Sequence, residues 1–174
     1  MEFEQDTINL EGLEKLQKAL KAKYPPYAKI GVLAGGKEVR KPEEKDKKKK
    51  SLLNNAELMA VHEYGSPVMG IPSRSALRMP LTDHLPKKLE EGGLFEEEEA
   101  REVLRTGTLT PWMKRVAMIA LGLCKESFTN DGWGKWEPLD DTYSEWKDQW
   151  YGTGQILVAS GQLRDSITDE VMNQ

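Results

Sequence analysis

Residues 56–78, AELMAVHEYGSPVMGIPSRSALR, crowd His62, Glu57, Glu63, Tyr64, Ser66, Ser73, Ser75, Arg74 and Arg78 into one short stretch. A histidine beside a carboxylate could relay protons or hold a metal ion, and a serine with a base could act as a nucleophile. A metal site needs several ligands converging on one point. The chain has two histidines, His62 and His84, and His62-Glu63 continues as Tyr64-Gly65, so there is no HExxH pattern. Neighbours on a helix point about 100° apart, which keeps His62 and Glu63 from sharing one ion easily.

Nucleophilic chemistry fares no better. Ser160-Gly161 lacks the first glycine of a GxSxG elbow, and the single cysteine, Cys124, lies in the apolar run VAMIALGLC (116–124). That setting predicts a buried, inert thiol. Gly35-Gly36 is followed by Lys37-Glu38, so no phosphate loop is present. The glutamates at 96–99 read as the solvent side of an acidic helix. These patterns point away from an enzyme, a metal site and a bound cofactor.

The elements that must position the cluster follow from periodicity. Leu10, Leu13, Leu16 and Leu20 recur at spacings of three and four, which predicts an amphipathic helix ending before Pro25-Pro26. YAKIGVLA (27–34) alternates and stops at Gly35-Gly36, as a strand does. SLLNNAELMAVHEYG (51–65) opens on a capping serine or asparagine and ends at Gly65, suited to the left-handed C′ position, so it is a helix. Between it and Pro80 the chain is rich in turns, and Pro72 and Pro80 forbid one continuous helix. A helix could resume at Pro80, with Pro86 against it. Residues 90–107 give a glycine break and a short acidic helix.

TPWMKRVAMIALGLCKESF (110–128) is the strongest helix. Thr110 suits the N-cap and Pro111 the first turn. Apolar positions run nearly all round it, which marks a central core helix. Asp140 or Asp141 can cap a short helix through Trp146. From residue 155 the chain reads as a short apolar segment, a capped helical turn and then an edge strand running to the C-terminus. Helices and strands do not alternate regularly, so the expected fold class is α+β: a small antiparallel or mixed sheet against a long central helix, with further helices and long loops.

At 174 residues the chain fits one domain, 1–174. The hydrophobic share of 38% against 31% charged residues predicts a modest core, which neighbouring subunits could supplement. A net charge of −4 argues against a general nucleic-acid binder. One cysteine allows no internal disulfide, the acidic N-terminus resembles no signal peptide, and no apolar run approaches the ~20 residues of a membrane span. A soluble protein from a reducing compartment is expected, with no membrane partner. Residues 37–50 carry many like charges and read as a mobile loop, with Lys45, Lys47, Lys48, Lys49 and Lys50 as possible contacts to DNA or a partner. Trp133, Trp136, Trp146 and Trp150 fall within residues 129–154 and are either core anchors under a loop or a subunit interface.

Two blocks together carry a resemblance. NAELMAVHEYGSP…GIPSRSALRMPL is similar to a pattern in tail-completion and virion-morphogenesis proteins of tailed bacteriophages, in which a helix ends in His-Glu-aromatic-Gly before Ile-Pro-x-Arg and a Phe-Leu-Arg-Pro type sequence. The matching positions are His62, Glu63, Tyr64, Gly65, Ile71, Pro72, Arg74, Leu77, Arg78 and Pro80. The second block, Trp136-x-Pro138-Leu139 with Thr142 and Lys147 and then ILVASGQLRDSI, resembles the C-terminal signature of the same group and contributes Gly161 and Leu163. Ser75-Ala76 stands where that pattern often has Pro-Phe, and the acidic stretch 90–107 lies outside it.

The resemblance implies a virion protein of the phage neck or tail, assembled in the host bacterial cytoplasm. It implies a ring, hexameric in the group, that joins or completes the tail. Its expected partners are copies of itself and the head-connector, tail-terminator or tail-tube proteins, with genomic DNA passing through the lumen without sequence-specific contact. An alternative is a DNA-contacting accessory morphogenesis protein using the Lys-rich 37–50 loop. Independently of any family, Arg74 and Arg78 carry planar forks suited to carboxylates of this or a neighbouring subunit, with Glu63 the nearest candidate.

Overall fold

The computed structural model describes residues 10–23, 25–33, 53–93 and 96–173. Segment 37–50, with Lys45, Lys47, Lys48, Lys49 and Lys50, lies outside the described residues. In chain order the elements are α1 (Leu10–Leu20), β1 (Tyr27–Gly31), α2 (Asn55–Tyr64), a 3-10 turn (Pro67–Met69), a π turn (Pro80–His84), α3 (Leu85–Glu91), α4 (Glu97–Thr106), α5 (Thr110–Glu126), α6 (Asp141–Tyr151), α7 (Gln162–Asp165) and β2 (Thr168–Met172). The fold is α+β, with β1 and β2 forming a two-stranded antiparallel sheet.

Helix α5 is the central element and packs against both strands, α3, α4 and the π turn. Ala117, Ala120, Leu123 and Cys124 supply its buried side. Small residues there let neighbours approach closely, which is why one helix can serve so many. The two strands pair from Tyr27 opposite Met172 to Gly31 opposite Thr168. An isolated two-stranded ribbon is marginal in water, so its contact with α5 is what holds the pair. Below α5 the core gathers Met59, Ala76, Phe128, Trp136, Ile156, Leu163 and Ile167 around Cys124.

Local chemistry sets the helix ends. Asn54 caps α2 through a reciprocal capping box with Glu57: each side chain accepts the other's backbone N–H, at 2.8 and 2.9 Å. Asp140 caps α6, which continues past Trp146 to Tyr151. The expected Thr110 cap of α5 is displaced by one position, because Leu109 precedes the helix without a side-chain bond and the Thr110 hydroxyl instead donates to Asn173. Pro80 and Pro86 do not stop the chain from being helical across 78–91. Pro86 has no N–H for the carbonyl four residues back, and the wider π turn just ahead accommodates that loss.

Helix α1 departs most from its sequence pattern. Gly12 is buried, and α1 packs against α4, yet Leu10, Leu13 and Leu20 are 69%, 46% and 63% exposed. Of the four leucines only Leu16 is half-buried within the described chain.

Candidate functional site

The corner between α2 and the π turn is built around one buried carboxylate. Glu63 lies in the last turn of α2 and points at the start of the next helical segment. There it accepts the amide N–H groups of Ala76, Leu77 and Arg78, each at 3.0 Å, and the Ser75 hydroxyl at 2.5 Å. Those amides are the orphan donors of a helix start, so Glu63 acts as an N-cap supplied from a distant helix. Ser75 completes the arrangement, because its Oγ also accepts the Met79 N–H at 2.9 Å.

Gly65 makes the fold-back possible, although its conformation differs from the expected left-handed cap. It has φ 75° and ψ 176°, an extended region open essentially to glycine alone. A Cβ there would lie 2.9 Å from both the Ile71 carbonyl oxygen and the Ser73 nitrogen. With no left-handed turn to close α2, its last carbonyls find partners across the loop. The Ser73 hydroxyl donates to the Glu63 carbonyl at 2.9 Å and the Arg74 N–H to the His62 carbonyl at 2.7 Å. Ser66 bridges Ile71, and the 3-10 turn between them carries Val68, which is 99% exposed.

Arg74 joins this corner to the second motif block. Its Nε and Nη2 donate to the Glu137 carbonyl at 2.9 and 2.8 Å, and Nη2 also reaches the Pro138 carbonyl at 3.3 Å. The fork expected to grip a carboxylate grips two peptide carbonyls, because Pro138 exposes both oxygens in an extended stretch that no ladder uses. Desolvation pulls the guanidinium pKa below its ordinary value, while Glu137 opposes the change. Arg78 does meet Glu63, but at 3.8 Å and from a side chain that is mostly exposed.

Trp136 fastens the same junction. It is buried edge-on against Phe128, and its Nε1 donates to the Ser75 carbonyl at 3.3 Å. Its placement depends on a left-handed run, with positive φ at Asp131, Gly132, Trp133 and Gly134. A Cβ on Gly132 would collide with the Trp136 indole. Trp133 stacks on His84 at 3.8 Å between ring centroids. Two of the clustered tryptophans are therefore used inside the chain, whereas Trp146 and Trp150 on α6 are 43% and 45% exposed.

Behind the junction lies a cleft of about 280 Å³ between α2, α6 and the segment leading into α7. Its lining includes His62, Arg74, Leu139 and Leu163, together with Tyr143, Trp146, Lys147 and Tyr151. Lys147 is buried, and its ammonium donates to the Gln155 carbonyl. Gly161, at φ 77°, turns the chain into α7 so that Leu163 enters the core.

The structure thus brings Glu63, Arg74, Arg78, Trp136, Pro138, Leu139 and Leu163 into one connected region, with Ile71 and Pro72 shaping its loop. Tyr64 points outward. Ser75 and Ala76, noted in the sequence only as departures from a pattern, carry part of the cap. Their signal was a serine standing just ahead of a helical run. Cys124 is fully buried, and burial, followed by the charge of Glu63, pushes its thiol up to about 12. Among the described residues no group of His, Cys, Asp or Glu side chains could hold a metal ion, and no helix is long and apolar enough to cross a membrane. No family model, curated protein or solved structure matches the chain.

Proposed function

We propose that this protein is a structural component of the neck or tail end of a tailed bacteriophage, assembling as a ring that joins or completes the tail. The observation that carries the reading is the meeting of the two resembling blocks. Arg74 and Trp136 tie HEYG…IPSRSALR to WEPL through bonds spanning more than sixty residues of sequence. A pattern whose polar residues fasten a rigid corner has no reacting group to offer, which suits stoichiometric assembly better than catalysis.

The outer surface supports the same reading. Tyr64, Val68 and Met69 form an apolar tip beside the corner, and Trp146 and Trp150 form an aromatic strip on α6. Exposed aromatic and aliphatic groups on an ordered scaffold are what subunit and partner contacts use. The ring would be made in the host bacterial cytoplasm from copies of this chain, with the hexameric symmetry of the resembling group, and would meet connector or tail-tube proteins while DNA passes through its lumen.

The test is complementation of a phage lacking this gene. Val68→Asp alters only the exposed tip, so the protein should fold and accumulate while heads and tails stay unjoined in electron micrographs. A normal infectious yield from Val68→Asp and from Trp136→Ala together would refute the proposal.

A further inference from the structure

Two surfaces of this chain are unmatched among the described residues, and their chemistries fit each other. One is the outer stripe of α1, where Leu10, Leu13 and Leu20 stand exposed while the opposite side of the helix is seated on α4. On a helical wheel Glu14 lies next to Leu10, at the edge of this stripe, with Lys18 beyond it. Lys15 is already paired with Glu11 at 2.7 Å, whereas Glu14 makes no ion pair among the described residues.

The other surface is the cleft beside α6. It has aromatic walls in Tyr143, Trp146 and Tyr151, and positive groups in Arg74 and Lys147. Among the described residues no aspartate or glutamate lines it. The Arg74 guanidinium is held by carbonyl oxygens, which satisfy its hydrogen bonds but leave its full charge. Outside the cleft the sign reverses, because Asp140, Asp141, Glu145 and Asp148 are all exposed on or beside α6.

We infer that the outer leucine stripe of α1 from a second copy of this chain docks in the cleft beside α6, with Glu14 facing its cationic interior. Helix-in-groove recognition uses apolar anchors at helical spacing, as Leu10 and Leu13 are, set against a groove of complementary charge. Lys18 would then meet the acidic rim of α6. That rim also selects against the obvious competitor: a nucleic-acid strand brings a continuous row of phosphates past the same carboxylates, whereas α1 brings one acid flanked by leucines. The neutral tip at Pro67–Met69 offers the cleft no negative charge, so charge favours α1 over it.

The two surfaces lie on different elements, so unless two copies exchange them reciprocally the contact propagates head to tail. Repeated contacts of that type close into a ring when the rotation allows it. The inference therefore rests on the ring reading above and names the surfaces that would build it.

A photo-crosslinking amino acid placed at Leu13 of the full chain tests it. Equal amounts of ordinary and nitrogen-15-labelled protein are mixed, irradiated and digested for mass spectrometry. The expected product joins a light chain to a heavy one, with the crosslink in peptides covering 139–163. Trp146→Ala and Glu14→Lys, both at exposed positions and checked for folding by circular dichroism, should each weaken association at least about tenfold, the range of a hot-spot contact. Crosslinks confined to one chain, to a different surface of the second copy, or to another protein in an infected-cell lysate would each overturn it. So would the absence of crosslinks at ~1 mM protein, the concentration scale of weak association. A ring seen by light scattering with crosslinks elsewhere would overturn this inference and leave the ring reading standing. A protein that never assembles and is missing from virions would remove both.

Discussion

Replacing Glu63 by alanine should destabilise the fold more than any single surface change, and the structure gives the size of the effect. Four donors converge on this carboxylate: the Ser75 hydroxyl and the amides of Ala76, Leu77 and Arg78. The Ser75 hydroxyl can rotate to another partner. Leu77 and Arg78 lie where the corner is only partly buried, so water can replace some of what they lose, and loss of a cap of this kind costs about 1–2 kcal/mol. Ala76 is fully buried. Its N–H would be left without a partner, at about 1–3 kcal/mol, and the space vacated by the side chain adds about 1 kcal/mol. The total is roughly 3–6 kcal/mol, a large share of the ~5–15 kcal/mol that holds most domains together.

Two controls separate the causes. Glu63→Gln keeps the shape but offers one acceptor oxygen and an NH₂ that confronts the remaining donors, so it should fall between wild type and alanine, near ~2–3 kcal/mol. Arg78→Ala removes a pair at 3.8 Å whose cation is mostly exposed, and should cost under ~1 kcal/mol. Urea titrations followed by circular dichroism and tryptophan fluorescence measure all three, with the slope unchanged if unfolding remains two-state. A Glu63→Ala loss below ~1 kcal/mol would refute the reasoning, because packing alone would then hold the helix start.

The buried thiol and the surface carboxylates give two further outcomes. With Cys124 pushed up to about 12, the thiolate fraction at pH 8 is near 10⁻⁴, so alkylation of native protein should run at least about a thousandfold slower than in urea; rapid native labelling would contradict its burial. Asp83, Glu11 and Glu102 are held below the ordinary carboxylate range chiefly by hydrogen bonds from Lys135, Lys15 and Arg105 respectively. Groups with depressed folded values contribute stability that is present above their unfolded values and lost as pH falls through the lowered ones. The urea midpoint should therefore hold steady near neutrality and drop below about pH 4, less steeply in high salt; a rise in stability on acidification would reverse the sign.

What was legible in the sequence was whatever local spacing encodes. The α2 cap, the central position of α5 and the first strand all follow from residues within a few positions of one another. The corner's chemistry was not legible, because Glu63 meets amides thirteen to fifteen residues on and Arg74 meets carbonyls more than sixty residues away. Side-chain type suggested that the arginine fork sought a carboxylate. Only the fold reveals that Pro138 leaves two peptide oxygens available at the right place. Trp136 is similar: a tryptophan count cannot tell that four consecutive positive-φ residues, starting at Asp131, would carry one ring inward while Trp146 stays out.

The α1 stripe shows the limit from the other side. A leucine at every third or fourth position says that one face of a helix avoids water, and says nothing about which surface covers it. Within the described chain α4 packs against the other side of the helix, and of the four leucines only Leu16 is half-buried. The polar motif residues, by contrast, are mostly committed to bonds inside the chain. Substitutions at Glu63, Arg74 or Trp136 should therefore fail through loss of folded protein, which any stability measurement detects. Substitutions at Leu13, Val68 or Trp146 should leave a folded chain that fails only where a second surface must be met. The division separates two meanings of an assembly defect that a complementation assay alone would merge, and it makes the exposed positions the ones that speak to function.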